Sequence, residues 1–286
     1  MSAIRSLLFV PADSERKIER GLAGDADAVI FDLEDSVAPD DKARARDVLR
    51  SVSHSGKRAF VRINPLGSDF VADDLATASA LAPFAIVLPK CGSGQDVVEL
   101  AAMLDVAEAE AGLEAGSMRI LPIATETAAA ALRTETYEGV CDRLWGLTWG
   151  AEDLATDLGA PAKRLEDGSY RDPFRFARMR CLFGAVAAGV SPVDTIYADF
   201  RDEAGLAREC EEAALDGFVA KMAIHPAQVP IINAAFTPSP EAIAEAQTIV
   251  DAFAAAGDPG VVALNGRMLD RPHLVQARRL LARADG

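Results

Sequence analysis

The stretch RILPIATETAAAALRTETYEGVCDRLWGLTWGAED, residues 119–153, contains two apolar runs that each end close to a carboxylate. Glu126 follows the first run and Asp153 follows the second, 27 positions later. Apolar runs separated by an Ala-rich segment are typical of parallel strands joined by a crossover helix. Because the carboxyl ends of parallel strands meet at one rim, the two carboxylates are predicted to lie together where β/α enzymes bind ligands.

Short apolar runs alternate with longer Ala-rich, charged segments along most of the chain, and eight such runs can be counted. They are Ser6–Val10, Ala28–Asp32, Ala59–Ile63, Ala85–Leu88, Arg119–Ala124, Leu144–Trp149, Val193–Ala198 and Gly217–Met222. Eight β/α units predict a TIM (β/α)8 barrel over residues 1–236 of this 286-residue chain. Residues 237–286 lie outside the repeat and are predicted to form a C-terminal helical extension.

The composition argues against several classes of function. A formal net charge of −15 disfavours nucleic acid or an anionic membrane as the main partner, because both attract basic proteins. Four scattered cysteines without CxxC spacing indicate a cytoplasmic protein without a disulfide framework, and no apolar stretch approaches the ~20 residues that span a bilayer. Three histidines, with no GxSxG, Walker or GxGxxG motif, disfavour nucleophilic triads, multi-histidine metal sites, ATP and NAD.

Carboxylates at the predicted rim favour a site for Mg²⁺. This ion prefers oxygen ligands and keeps several waters, so Glu126 and Asp153 together suit it. The alternative is that each residue only caps the helix that follows it. A further acidic cluster, Asp32, Glu34 and Asp35, follows the apolar run AVIF. Such a cluster at the rim is catalytic, holds the waters bound to a metal, or caps a helix. Packed acids need a cation nearby, so these three are predicted to hold the waters bound to the metal.

Other strand ends carry candidate substrate-binding groups. Arg62, in FVRINP, offers a planar fork for a carboxylate or for an oxyanion that forms in a transition state. Lys90, in VLPK, could equally be solvated, contact a phosphate or take part in catalysis. The small residues Gly150 and Ala151 could present backbone amides to an anionic ligand.

The segment KMAIHP, residues 221–226, closes the eighth apolar run. A barrel often binds phosphate near its last strands, so Lys221 is a candidate for contact with a phosphate-bearing ligand. His225 precedes a proline that starts a helix and is interpreted as a structural residue rather than a general base.

Seven segments occur in a fixed order, and they are RSLLFVPADSERKIERG, DAVIFDLEDSV, VRINP, IVLPK, IATETAAA, LTWGAEDLATDLG and GFVAKMAIHPAQVPIINAAFTPS. In these segments the chain resembles the citrate lyase β-subunit-like proteins of the HpcH/HpaI aldolase and malyl-CoA lyase group, and the resemblance extends from Arg5 to about Arg279. The resemblance implies a TIM barrel that binds Mg²⁺ through Glu126 and Asp153, with Arg62 in contact with substrate.

Members of this group cleave or form a C–C bond between an α-keto acid and an acyl thioester, usually of coenzyme A. They assemble as trimers or hexamers in which a C-terminal lid covers a neighbouring subunit's site and contributes an aspartate. The matching residue is Asp270, which could alternatively cap the last helix. The resemblance implies that Arg62 stabilises the thioester enolate and Asp270 exchanges a proton with its carbon. Candidates for the carrier's phosphates are Arg5, Lys17 and Lys221.

The resemblance predicts a Mg²⁺-dependent lyase that acts on a malyl-CoA, citramalyl-CoA or citryl-CoA type of thioester. One alternative is a citrate lyase β subunit that takes its thioester from an acyl carrier protein inside a complex. Another is a malate synthase or thioesterase-like activity. The non-enzymatic alternative is a structural or regulatory subunit of an assembly.

Overall fold

Eight parallel strands form a nearly closed barrel, which confirms the predicted TIM fold. The computed structural model describes residues 3–54 and 56–284. The sheet has the order β5-β4-β3-β2-β1-β8-β7-β6, and parallel bridges between Ile120 and Leu144 and between Ile123 and Thr148 close it. The barrel strands are β1 (Ser6–Pro11), β2 (Ala28–Asp32), β3 (Arg58–Arg62), β4 (Ala85–Leu88), β5 (Arg119–Pro122), β6 (Gly146–Leu147), β7 (Ser191–Asp194) and β8 (Ala220–Ala223).

Helices of very different lengths follow the strands. Those of the barrel are α1 (Glu15–Ala23), α2 (Lys42–Arg50), α3 (Val71–Leu81), α4 (Gly94–Ala111), α5 (Ala128–Ala131), α6 (Ala151–Leu158), α7 (Asp172–Ala187), α8 (Glu203–Asp216) and α9 (Val229–Phe236). The Ser14 side chain accepts a hydrogen bond from Lys17 N and caps α1, as the sequence predicts. Among the described residues, no helix combines the length and the apolar character that crossing a membrane requires.

The barrel strands are buried on both faces, and alternate residues contribute to two apolar layers. In β2, Ala28 and Ile30 face the barrel interior, whereas Val29 and Phe31 pack against the helices. This arrangement explains why the strands appear in the sequence as continuous apolar runs. It also means that any polar strand residue inside the barrel wall needs a buried partner.

Three strands differ most in extent from the predicted runs. In the run Leu144–Trp149 only β6 is regular, because the residues on either side make single bridges to β5. β7 ends at Asp194, four residues before the predicted end, and the chain then crosses the mouth of the barrel. β8 starts at Ala220 because Gly217, with a φ of 111°, terminates α8 in the left-handed region.

The C-terminal extension contains a β-hairpin as well as the predicted helices. It consists of α10 (Pro240–Ala255), β9 (Val261–Leu264), β10 (Arg267–Asp270) and α11 (Arg271–Ala284). The hairpin turns at Asn265 and Gly266, whose φ angles of 50° and 76° are both positive, as two-residue hairpins require. Phe253, Val262, Leu269 and Leu274 form a separate small core within the extension.

Candidate active site

A pocket of about 310 Å³ opens at the carboxyl end of the barrel and is lined by residues from seven of the eight strand ends. It brings together most of the residues that the sequence predicts for the site. They are Asp32, Asp35, Arg62, Glu126, Gly150, Ala151 and Asp153. The remaining lining is largely apolar, with Phe9, Ile196 and Met222 among its members. An apolar pocket with a few convergent polar groups is the usual form of a small-molecule site.

Glu126 projects into the pocket from the loop after β5, and its side chain is almost fully buried. It does not cap the following helix, because the Thr127 side chain does so by accepting a hydrogen bond of 3.1 Å from Ala130 N. The main-chain N–H of Lys90 donates to Glu126 Oε2. Burial raises the pKa of Glu126 well above its ordinary value, and the nearby Asp153 carboxyl raises it further.

Asp153 lies in the first turn of α6, within the lining of the same pocket. The N-cap of this helix is Gly150, which has no side chain to cap it. A Cβ atom at Gly150 would lie 2.7 Å from Glu126 Cγ, so only glycine lets Glu126 pass this close to α6. The location of Gly150 therefore assigns it a packing role beside Glu126 as well as a place in the pocket wall.

The carboxyl groups of Glu126 and Asp153 fit a magnesium ion. They form an all-oxygen pair, and the Asp153 carboxyl raises the energetic cost of ionising Glu126 inside a largely apolar pocket. No group of three or more His, Cys, Asp or Glu side chains in residues 3–54 and 56–284 converges on a metal position. Two carboxylates completed by water and substrate oxygens are the ligands that Mg²⁺ commonly takes, whereas zinc or calcium would need more protein ligands.

Arg62 is fixed at the pocket floor by two acids of the DLED cluster, which consists of Asp32, Glu34 and Asp35. Its Nε and Nη2 atoms each donate to Asp32 at 2.7 Å, and Nη1 lies 3.0 Å from Glu34 Oε2. The guanidinium carbon lies 4.8 Å above the Phe9 ring. Burial lowers the pKa of Arg62, but the hydrogen bonds to Asp32 and the negative charges of the three neighbouring acids together outweigh it, and the net shift is upward. The guanidinium is thus permanently charged and held in one orientation.

The three acids of the DLED cluster do not share one environment. Asp32 accepts hydrogen bonds from Glu34 N, Ser36 N and Arg62, so its oxygens are occupied in holding the loop. Glu34 is buried and contacts both Arg62 and Lys90. Only Asp35 is exposed. Contact of these three acids with metal-bound water remains a prediction. In the structure each of them contacts a positively charged side chain, Arg62 or Lys90.

Lys90 lies at the centre of this acidic group. Its ammonium contacts Glu34 Oε1 and lies 3.5 Å from Asp35 and 3.9 Å from Asp153. The residue has a φ of 51°, in the left-handed region, which directs its N–H at Glu126. Sequence reasoning left the role of Lys90 open, and the structure places it beside the candidate metal ligands.

Lys221 does not lie at the rim, and its predicted placement is wrong. Its neighbours Ala220 and Met222 face the barrel interior, so the lysine points outward into the helical layer. There it is fully buried, with Nζ 2.8 Å from Asp194 Oδ2 and 2.9 Å from Glu209 Oε1. A side chain in this position stabilises the barrel wall and cannot reach a ligand in the pocket.

Arg5 is also misplaced by the prediction, because it precedes β1 and therefore lies at the amino end of the barrel. Its Nε and Nη2 atoms each donate to Asp27 at 2.8 Å. Of the three candidates for the carrier's phosphates, Lys17 alone remains near the pocket. It lines a groove of about 310 Å³ whose walls include Phe9 and Pro11, which also line the active-site pocket.

His225 is structural, in line with the interpretation of the sequence. Its ring accepts a hydrogen bond of 3.2 Å from Ala227 N, and the Gln228 side chain accepts one from His225 N, which completes a capping box. Its ring also stacks on Phe200. Asp270, at the end of β10, contacts His273 and does not line the pocket of its own chain.

A buried polar network behind the pocket was not predicted. Trp149 lines the pocket and donates from Nε1 to Asp194 Oδ1 at 2.7 Å, and Asp194 also binds Arg178 and Lys221. This network fixes Trp149, which directly precedes Gly150 in the pocket wall. The signal for it was an aspartate inside the apolar run SPVDTIYA, residues 191–198, since a charged residue in a buried strand requires a partner.

Two family models match the chain. One, described as HpcH/HpaI aldolase/citrate lyase, matches residues 5–226, and the other, described as C-C bond lyase of the TIM-barrel fold, matches residues 177–286. The chain is 37% identical over 277 residues to the citrate lyase subunit beta-like protein of Mycobacterium tuberculosis, covering 97% of this chain and 94% of the relative. It is 35% identical over 293 residues to a (3S)-malyl-CoA thioesterase of Cereibacter sphaeroides, with 98% and 94% covered.

A similar solved structure is that of protein CitE from Mycobacterium tuberculosis in complex with magnesium, acetoacetate and coenzyme A. The two structures have a TM-score of 0.81 and 35% sequence identity, and the match covers 99% of each chain. The similarity therefore extends over the barrel and the C-terminal extension alike.

Proposed function

The chain belongs to the HpcH/HpaI aldolase/citrate lyase family, and on this premise we propose that it is a Mg²⁺-dependent lyase that cleaves or forms a C–C bond in a β-hydroxyacyl-CoA. The observation that carries the proposal is the pairing of Glu126 with Asp153 beside a fixed Arg62 in one pocket. The M. tuberculosis relative that was crystallised with magnesium, acetoacetate and coenzyme A supports the cofactor and the class of substrate.

The groove next to the pocket suits the phosphates of the thioester carrier. Arg16, Lys17 and Arg20 of α1 line it, in a chain whose net charge is −15. Because the groove and the pocket share walls, a carrier held there could extend its thioester toward Arg62. Local cations overcome the repulsion that a strongly acidic protein exerts on a polyphosphate.

In the cleavage direction the bond between the hydroxyl-bearing carbon and the α-carbon of the thioester breaks. Glu126 and Asp153 would hold Mg²⁺, which supplies Lewis acidity at the hydroxyl and carboxylate oxygens of the substrate. The hydroxyl proton goes to solvent, and the keto acid leaves. Arg62 is placed to stabilise the negative oxygen of the departing thioester enolate. Asp270 of a neighbouring subunit donates the proton that this enolate takes up at carbon, and in condensation it removes that proton.

The assignment of Asp270 implies a homo-oligomer, a trimer or hexamer, in which residues 237–286 cover a neighbouring pocket. Two features of the chain support it. Asp270 does not line the pocket of its own chain, and its side chain is about half exposed beyond the barrel. The hairpin that carries it has its own small core and can keep its shape while it reaches a second molecule.

Two alternative enzymatic activities, a thioesterase and a citrate lyase β subunit, would use the same pocket. The C. sphaeroides relative named a (3S)-malyl-CoA thioesterase favours a second candidate, in which water hydrolyses the thioester instead of C–C cleavage, or after a malate synthase-like condensation has formed the C–C bond. A citrate lyase β subunit would take its thioester from an acyl carrier protein, and the groove beside α1 would then contact the carrier's phosphopantetheine. As a purely structural or regulatory subunit the chain would not need Arg62 held against Asp32 at the pocket floor.

A panel of malyl-, methylmalyl-, citramalyl- and citryl-CoA, assayed with the purified chain, tests the proposal. Release of glyoxylate, pyruvate or oxaloacetate together with an intact acyl-CoA is the expected result, and it should depend on Mg²⁺. Release of free CoA without a keto acid would assign a thioesterase instead. Turnover of none of the four substrates, either as CoA thioesters or as acyl-carrier-protein thioesters, would contradict all three enzymatic candidates.

A further inference from the structure

A second cavity, of about 680 Å³, lies at the amino end of the barrel, opposite the active-site pocket. Its walls come from the starts of the barrel strands, including Arg5, Arg58 and Arg119, and from the C-terminal extension, including Ile243 and Arg283. It is larger than the pocket at the carboxyl end. None of the chemistry proposed above uses it.

The cavity carries a concentration of positive charge in an acidic chain. Four arginines line it, and within residues 3–54 and 56–284 the only acidic residue of the lining is Asp27. Asp27 is already paired with Arg5 through two hydrogen bonds of 2.8 Å. The Arg119 side chain donates to the main-chain oxygen of Asp142 at 2.7 Å and forms no ion pair with a carboxylate in the described part of the chain. A net charge of about three positive units therefore remains in one concave space, where an anion experiences a focused field.

Arg283 is the least satisfied of these groups. Its Nε atom is buried and has no hydrogen-bond partner among the described residues. Burial lowers the pKa of Arg283, and no carboxylate in the described part of the chain offsets this effect. The guanidinium as a whole is half-buried, a buried N–H without an acceptor is costly, and an anionic ligand would supply the missing acceptor.

The floor of the cavity is aromatic. The rings of Phe84 and Trp145 line it and meet edge to face at 5.8 Å, and Phe60 packs behind both of them inside the barrel. The guanidinium carbon of Arg58 lies 5.5 Å from the Phe84 ring centroid. Charged donors thus stand beside a flat apolar surface that could pack against the carbon skeleton of a ligand.

We propose that this cavity binds an organic anion with two or more negative charges, whose phosphate or carboxylate groups contact Arg58, Arg119 and Arg283 and whose apolar part packs on Phe84 and Trp145. Such a ligand links the barrel to the last helix, because Arg58 and Arg119 begin strands whereas Arg283 belongs to α11. Binding therefore stabilises the position of the extension. The inference is independent of the proposed reaction at the other end of the barrel.

Calorimetric titration of the full chain with pyrophosphate, citrate or ATP, in buffer with EDTA and no added metal, tests the inference. At least one probe should bind with one site per chain and raise the melting temperature, and comparison of the three separates phosphate, carboxylate and nucleotide ligands. Arg58→Gln and Arg283→Gln should each weaken that Kd by about tenfold or more. Arg50→Gln, which removes an exposed arginine paired with Asp47, is the matched control and should leave Kd unchanged.

The active-site pocket could also attract these anions, so Arg62→Gln is the second control. Binding that survives in Arg62→Gln and is lost in Arg58→Gln and Arg283→Gln supports the cavity. Binding that is lost in Arg62→Gln and persists in both cavity variants overturns the inference, as does failure of all three probes to bind. Arg283 lies at the end of the last helix, so its substitution leaves the barrel core intact even if Arg58→Gln folds poorly.

Discussion

Lys90 contacts Glu126 through its main chain while its side-chain ammonium contacts Glu34, so one residue joins the candidate metal ligand to the acidic cluster beneath it. The left-handed backbone at Lys90 makes both contacts possible at once. The ammonium is 3.9 Å from Asp153 and thus occupies a position where it competes electrostatically with a bound cation.

Replacement of Lys90 by methionine should therefore strengthen Mg²⁺ binding. The substitution removes one positive charge and keeps the main-chain N–H that holds Glu126. At about 4 Å and an effective dielectric constant near 20, unit charges interact by roughly 4 kcal/mol. Lys90 is partly exposed, and solvent screening reduces this to about 1.4 kcal/mol, so we expect the Mg²⁺ concentration for half-maximal activity to fall by about tenfold. Lys163→Met, which removes an ammonium from the exposed Glu152, is the control. An unchanged or higher Mg²⁺ requirement in Lys90→Met would contradict the claim that the Lys90 ammonium opposes metal binding.

Subunit mixing tests the role proposed for Asp270. Arg62→Ala and Asp270→Ala should each lose nearly all activity, by about 10² to 10³-fold. If Asp270 acts on a neighbouring chain, mixed oligomers contain some sites with both residues intact, and part of the activity should return. The measurement is turnover after the two inactive variants are exchanged and the exchange is verified by mass spectrometry. A mixture that stays inactive would count against catalysis across subunits.

Two lysines of the predicted site should behave in opposite ways. Lys221→Met removes the buried cation that Asp194 and Glu209 share, leaving one buried negative charge uncompensated, and should cost roughly 3–5 kcal/mol of unfolding free energy. Lys17→Met removes a charge from the groove and should raise KM for the CoA thioester several-fold at unchanged stability. Chemical denaturation gives the unfolding free energy of each variant, and steady-state kinetics give its KM for the CoA thioester. Equal effects on KM, with no loss of stability in Lys221→Met, would restore Lys221 to the binding site.

Glu108 should make stability depend on pH in the acid range. It is buried in α4 and accepts hydrogen bonds from Arg143, Gly116 N and Met118 N. Burial acts to raise its pKa, but Arg143 and the two amides outweigh it and lower the pKa from 4.5 to about 2. A lowered pKa in the folded state gives stability that is present above the unfolded pKa and is lost as the pH falls toward the folded one.

Glu108→Gln should therefore destabilise the protein by roughly 3 kcal/mol at pH 7. The gap between its melting temperature and that of the original protein should stay constant down to about pH 5 and shrink between pH 4.5 and 2. Glu110→Gln, an exposed position on the same helix, is the control. A gap that does not change with pH would show that the carboxylate charge of Glu108 is not what stabilises the fold.

The main groups of the pocket could be predicted because a parallel barrel makes sequence position informative. Glu126, Asp153 and Arg62 stand at or after the ends of apolar runs, and strand direction alone brings such residues to one rim. The same reasoning would have placed Arg5 at the opposite rim, since it precedes its strand. Its assignment to the ligand followed the resemblance instead of the direction of the chain.

Other features depend on information that residue types do not carry. In a strand buried on both faces, apolar neighbours do not reveal which way Lys221 points, so its outward orientation could not be read from the pattern. The contact from Lys90 to Glu126 requires a left-handed backbone at a residue other than glycine, for which the sequence has no marker. The hairpin of the extension, in contrast, was signalled by Asn265–Gly266 between apolar residues.

Keto acid release by Asp153→Asn, measured over a range of Mg²⁺ concentrations, tests the central claim most directly. The claim is that Glu126 and Asp153 hold the ion on which C–C cleavage depends. Asp157→Asn makes the same change one turn later on α6, outside the pocket, and serves as the control. The account predicts no detectable Mg²⁺-dependent turnover in an intact Asp153→Asn oligomer and near-normal turnover in Asp157→Asn. Full activity of Asp153→Asn with an unchanged Mg²⁺ requirement would contradict it.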